Sequence, residues 1–146
     1  MQWDASKYAG FTAPDAPVEP WISVNPNHVE INAAEEFDDP DSVYTFYKKL
    51  IAMRHNSATI STGEWHLLAA DSDQVYAFTR TNGDDTILVV VNLTDRSAAL
   101  PSDVAELLSD GVNESQVLLS TYDAMHSVKS IARGELARWE GVVIQL

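Results

Sequence analysis

Twenty-two acidic side chains and four histidines are the groups in this 146-residue chain that could move protons or hold a metal ion. Two carboxyl groups suffice to cleave a glycosidic bond, one as acid/base and one as nucleophile or base. The carboxylates here have simpler explanations. Asp39 and Asp41 fit the start of a helix, Asp71 and Asp73 fit a turn, and Asp84 and Asp85 fit a hairpin. The run "DSDQVY" lacks the glycine and bidentate glutamate of a calcium loop. His28, His55, His66 and His126 are scattered, so no zinc-ligand spacing arises and no metal or cofactor is expected. Glycine-rich phosphate loops and a Gly-x-Ser-x-Gly elbow are absent. The triplet Asn92-Leu93-Thr94 matches a glycosylation acceptor but lies at the end of an apolar strand pattern, where chance explains it. Aromatic rings remain. Trp65, Tyr76, Phe78 and Trp139 fall in a β-rich region, where rings either stack on the apolar faces of sugars or pack in cores and interfaces. Trp65 and Trp139 are the candidates for glycan stacking, as in a carbohydrate-binding module.

Two kinds of element must position these groups. Residues 1–38 show neither helical nor alternating period, and five of the six prolines lie in residues 1–40. The stretch still carries Trp3, Tyr8, Phe11 and Trp21, too many rings for a disordered tail. It reads as an ordered loop with one short helical turn, whose rings pack against something else. "DDPDSVYTFYKKLIAMRHN" then predicts a helix over about 40–56, with Asp39 as N-cap and Pro40 at the first position. Val43, Phe46, Tyr47, Leu50 and Ile51 make one apolar face, and Lys48, Lys49, Arg54 and His55 load the end that favours cations.

After Gly63 the pattern turns to strands: "EWHLLAA", "QVYAFTRT", "TILVVVNL", "SAALP", "SQVLLST" and "WEGVVIQL". Asn82-Gly83 marks a hairpin, and "TILVVVNL" is apolar on both faces, as an internal strand would be. "SDVAELLSD" is ambiguous between a helical turn and a strand. The fold expected is mainly β: an antiparallel Greek-key sandwich over residues 59–146, preceded by the loop and one α-helix in residues 1–58.

A formal charge of −13 opposes contact with nucleic acid or anionic membranes. The chain has no cysteine, hence no disulfide, and a reducing compartment suits it. Neither a basic leader nor a long apolar run is present, so a cytoplasmic location is expected.

"MQWD", "AGFT", "PWISVNPN", "EIN" and "DPDSVYTFYKKLIAMR" together resemble the α-glucosidases of the α-amylase superfamily, glycoside hydrolase family 13, above all the oligo-1,6-glucosidases and dextran glucosidases. "YAFTR", "ILVVVN" and "WEGVVIQL" fit the same family. The resemblance covers essentially the whole chain, and it implies the last part of a (β/α)8 barrel followed by a C-terminal antiparallel β domain. Residues 1–38 would be the loop after the eighth barrel strand, the helix would be the eighth barrel helix, and 59–146 the β domain. A full barrel takes on the order of 250 to 400 residues, so this chain would be a fragment. Its partner would be the catalytic barrel of the parent enzyme, which alone would engage the oligosaccharide. The family's catalytic Asp, Glu and Asp belong to earlier barrel strands, so the resemblance places no catalytic residue in this chain and implies that it is inactive alone. Gln2 and Trp3 match the family's Arg-x-Pro-Met-Gln-Trp motif and would support the rim of the active site.

Overall fold

The computed structural model describes residues 1–146, which form two compact units, Met1–Met53 and Arg54–Leu146.

In the first unit the irregular stretch holds more helix than its sequence suggests. A 3₁₀ turn spans Pro26–Val29, and α1 spans Ala33–Asp38. Asn25 and Asn32 start them, each with its side-chain oxygen accepting a backbone N–H two or three residues on. Helix α2, Val43–Asn56, begins later than predicted. Asp39 ends α1 and accepts the Asp41 N–H, which makes Pro40 and Asp41 a turn. The Ser42 hydroxyl takes over the start of α2 by accepting from the Thr45 N–H, and its carbonyl accepts from Phe46. The apolar face of α2 stays open: Val43, Tyr47 and Ile51 are all more than half exposed.

The second unit opens with a short helix, α3 (Ala58–Thr62), capped by the Ser57 side chain. Strands β1 (Glu64–Leu68), β2 (Val75–Asn82), β3 (Asp85–Asn92), β7 (Gly141–Gln145) and β5 (Val117–Ser120) make one antiparallel sheet in that spatial order. Strands β4 (Ala98–Ala99) and β6 (Glu135–Leu136) form a second, two-stranded sheet. The β2–β3 hairpin pairs Asn82 with Asp85, so the chain reverses at Gly83–Asp84. β3 lies at the centre between β2 and β7, as its two apolar faces require.

Alternation decides what is buried. Leu68, Val75, Ala77, Leu88, Val90, Val142 and Ile144 face a core that Ala98 and Leu136 of the second sheet close from the other side. Helices α4 (Ser102–Leu107) and α5 (Ala124–Ala132) add Val104 and Ile131 to it. The ambiguous "SDVAELLSD" is therefore helical. Helix α5 has no counterpart among the sequence-predicted elements. Its buried face combines Ser127 and Ser130 with Ile131, so the apolar period is broken by small polar residues.

Helix α3 lies against β2 and β3. Gly63 makes that approach possible, because a Cβ there would stand 2.4 Å from the Thr59 carbonyl oxygen and 2.9 Å from that of Thr81. The Thr59 hydroxyl donates to Asp85, which fastens the helix to the hairpin.

Candidate functional site

Gln2 and Trp3 are held by the backbone around them. Their carbonyls accept the N–H groups of Ala33 and Ala34, two of the donors that the first turn of α1 leaves unpaired. The Gln2 amide donates to the Ile31 carbonyl, and the Trp3 N–H donates to Ala9. Gly10 sits where a Cβ would come within 2.7 Å of the Trp3 Cβ, so only glycine lets the loop close there. Gln2 lines a recess of about 830 Å³ with Phe11, Val18, Pro20, Trp21 and Ile22. The Trp3 indole, 55 % exposed, is not part of that lining. Asp4 next to it accepts from the Ser6 hydroxyl and the Ser6 N–H, and these bonds, helped by His28, hold its carboxyl below the usual aspartate range.

Trp65 and Trp139 lie apart. Trp65 on β1 pairs with Arg80, whereas the row through Gly141, just after Trp139, runs through Val91 to Tyr76. Four residues along the strands and three strand spacings across separate the two rows, roughly 20 Å in all. Trp65 belongs to an aromatic face that Arg80, directly across from it, also shares: Leu67 sits across from Phe78, whose ring centroid is 6.4 Å from that of Trp65 and 5.6 Å from that of Tyr76. Trp139 stands alone in the turn before β7, 57 % exposed and with a left-handed φ of 53°.

Glu140, which the sequence presents as one more acid, is wholly buried. One carboxylate oxygen accepts from the Ser127 hydroxyl at 2.6 Å and the other from the Ala137 N–H at 2.7 Å. Ser127 in turn shares a hydrogen bond with Ser120 at 2.8 Å. The His126 ring nitrogen Nε2 lies 3.9 Å from the same carboxylate. This cluster ties α5, β5 and the turn carrying Trp139 together. Only the buried serines of α5 could have pointed to it, and they do not read as buried in a sequence.

Other carboxylates make structural bonds, some of them between segments distant in sequence. Asp103 accepts from Ala69 and Val104, Asp123 caps α5 through His126, and Asp85 accepts from Thr59 and Gln145. No three His, Asp or Glu side chains converge as a metal cluster.

Residues 1–63 match the family described as "Alpha amylase, catalytic domain", and residues 65–110 match "Maltogenic Amylase, C-terminal domain". The chain belongs to the α-amylase superfamily. The two matches meet at residue 64, where α3 gives way to β1. An oligo-1,6-glucosidase of Parageobacillus thermoglucosidasius is 34 % identical over the whole chain, and one of Bacillus cereus is equally similar. A glucan 1,6-alpha-glucosidase of Streptococcus dysgalactiae subsp. equisimilis is 36 % identical over 72 % of the chain and 19 % of its own length. Among solved structures, the trehalulose synthase MutB of Pseudomonas mesoacidophila MX-45 is similar, with a TM-score of 0.75 and 35 % identity over 99 % of this chain. This chain spans 24 % of the length of both oligo-1,6-glucosidases and of MutB. The antiparallel β architecture of the second unit is thus that of the C-terminal part of an α-amylase-type enzyme.

Proposed function

We propose that this chain is the C-terminal portion of an α-glucosidase, supplying the end of the catalytic barrel and the β domain that follows it. In this reading residues 1–58 complete the barrel wall and residues 59–146 form the C-terminal domain. The observation that carries the reading is the pair of family matches, catalytic domain before residue 64 and C-terminal domain after it. Relatives named for glucoside hydrolysis extend along the whole chain while running about four times its length.

The parent enzyme removes terminal α-linked glucose from oligosaccharides with retention, through two carboxyl groups about 5 Å apart and a covalent glucosyl intermediate. Those carboxyl groups belong to the preceding barrel. Gln2 and Trp3 support the active-site rim, because loops after barrel strands gather there. Their backbone bonds to α1 make such support rigid. The open face of α2 and the aromatic face of β1–β2 are surfaces the rest of the enzyme covers. The chain carries no helix long and apolar enough to cross a membrane. A cytoplasmic setting fits its lack of cysteine.

The test is release of glucose from an aryl α-glucoside by the purified chain. No turnover is expected. Activity that co-purifies with the chain through successive columns would overturn the non-catalytic role.

A further inference from the structure

We infer that Asn82 is a site of spontaneous covalent modification: its side chain closes onto the Gly83 nitrogen, expels ammonia and leaves an aspartate or an isoaspartate at the tip of the β2–β3 hairpin. Ring closure needs an asparagine side chain free to turn, a following residue without a Cβ to crowd the ring, and a following N–H that no hydrogen bond holds. The hairpin supplies all three. Asn82 is exposed at the end of β2, and its side-chain amide makes no hydrogen bond. Gly83 has a φ of 63°, with no heavy atom within 4 Å of the place a Cβ would take. The Gly83 N–H is unbonded, in a turn that the Asn82–Asp85 pair closes around it. The other positions are held. The Asn32 and Asn92 side chains are buried and donate to backbone carbonyls. Asn113 bonds to Ser115 and Gln116. Asn25, Asn27 and Asn56 precede Pro26, His28 and Ser57, which lack an N–H or carry a Cβ. Asp110-Gly111 is the other acid-type pair with glycine, but there the Gly111 N–H donates to the Leu108 carbonyl at 3.0 Å. Such a bond must break before the nitrogen can react, and at Gly83 there is none to break.

Hydroxide or a water molecule takes the Gly83 amide proton. The nitrogen attacks Asn82 Cγ, the Cγ–Nδ2 bond breaks, and Nδ2 leaves as ammonia with a proton from solvent. The product is a cyclic imide, and water then opens either of its two carbonyls. Opened one way, the chain carries an ordinary aspartate; opened the other way, it runs through the side chain as isoaspartate. Water is consumed and ammonia released, with no oxidation or reduction. The consequence is electrostatic. Asn82 faces Asp85 across the hairpin, so a carboxylate at position 82 sets like charges directly opposite each other, on a chain whose formal charge is already −13. Asp85 also accepts from Thr59 on α3 and from Gln145 on β7, so repulsion there strains both ties. Isoaspartate further lengthens the backbone and displaces the tip from its register.

None of this depends on the activity of a parent enzyme. The experiment is incubation of the purified full chain in mildly alkaline buffer, followed over days by peptide mapping with mass spectrometry. The peptide containing residue 82 should gain the mass difference between NH2 and OH before any other asparagine peptide does. Electron-transfer fragmentation should find both aspartate and isoaspartate there. Gly83→Ala places its methyl in open space and should slow the gain, with a thermal melt confirming that the variant is folded. Asn82→Asp should melt below the parent chain by up to about 4–8 °C, and added salt should recover part of that loss. Residue 82 unchanged at the end of the incubation, another asparagine converting first, or isoaspartate at Asp110 ahead of residue 82 overturns the site. Aspartate without isoaspartate, or an unchanged rate in folded Gly83→Ala, overturns the route through the Gly83 nitrogen. An Asn82→Asp variant as stable as the parent chain overturns the electrostatic consequence.

Discussion

Replacing Glu140 with alanine removes a buried carboxylate that satisfies two donors from different parts of the second unit. The Ala137 N–H would lose its partner, while Ser127 would keep its bond to Ser120. A hydrogen bond to a charged group contributes about 1.5–3 kcal/mol, and an orphaned part-buried donor costs about 1–3 kcal/mol. Alanine also leaves a void at a position with no solvent exposure. The sum points to a loss of about 3–5 kcal/mol, a large share of the ~5–15 kcal/mol that holds a domain folded. Glu140→Gln behaves differently. Its carbonyl oxygen can still accept from Ala137, and its amide can donate to the Ser127 oxygen if that hydroxyl turns toward Ser120. Its cost should stay near ~1 kcal/mol, one neutral bond in place of a charged one. Urea unfolding followed by tryptophan fluorescence gives both numbers. At about 4–8 °C per kcal/mol for a unit of this size, the alanine variant should also melt more than ten degrees lower. An alanine variant within about 1 kcal/mol of the parent chain, or a glutamine variant as damaged as alanine, would refute the assignment of the carboxylate as the tie.

Three further outcomes follow from the structure. Gly63→Ala forces a methyl onto the Thr59 and Thr81 carbonyls and should destabilise the second unit by about 1–3 kcal/mol, read from the same unfolding curve. Tyr47→Glu with Ile51→Lys places charge on the open face of α2; sedimentation should show less self-association than in the parent chain, with an unchanged circular dichroism spectrum. The Ser6 bonds hold the Asp4 carboxyl below its ordinary value of 3.8, so the order it gives the 4–10 loop is fully present above that value and is lost as pH falls through the lower, folded one. The Ser6 amide resonance, followed down in pH, should move only below 3.8, and a transition above it would contradict the bonded geometry.

Local patterns were readable where one physical rule dominates. Val75, Ala77 and Thr79 alternate inward along β2, and β3 is apolar on both faces because it lies inside the sheet. The start of α2 was displaced because Asp39-Pro40-Asp41 can cap a helix or make a turn, and the Ser42 hydroxyl decides between them. Helix α5 was hidden because its inward positions include Ser127 and Ser130, polar residues that a hydrophobic period does not count. Glu140 was hidden for the converse reason. Its partners lie three residues away along a turn and thirteen residues away on a helix, and only the fold brings them to one carboxylate. Trp65 and Trp139 look alike in the sequence. The strand register puts one on an aromatic face shared with Leu67, Phe78 and Arg80 and leaves the other in the turn before β7.

We propose above that this chain works as the closing quarter of an α-glucosidase. That proposal is tested most directly by reading the coding sequence immediately upstream of the Met1 codon. An open in-frame extension that ends in Arg-x-Pro and encodes a barrel with Asp, Glu and Asp at its strand ends is expected. An in-frame stop codon followed by a ribosome-binding site just before Met1 would contradict it.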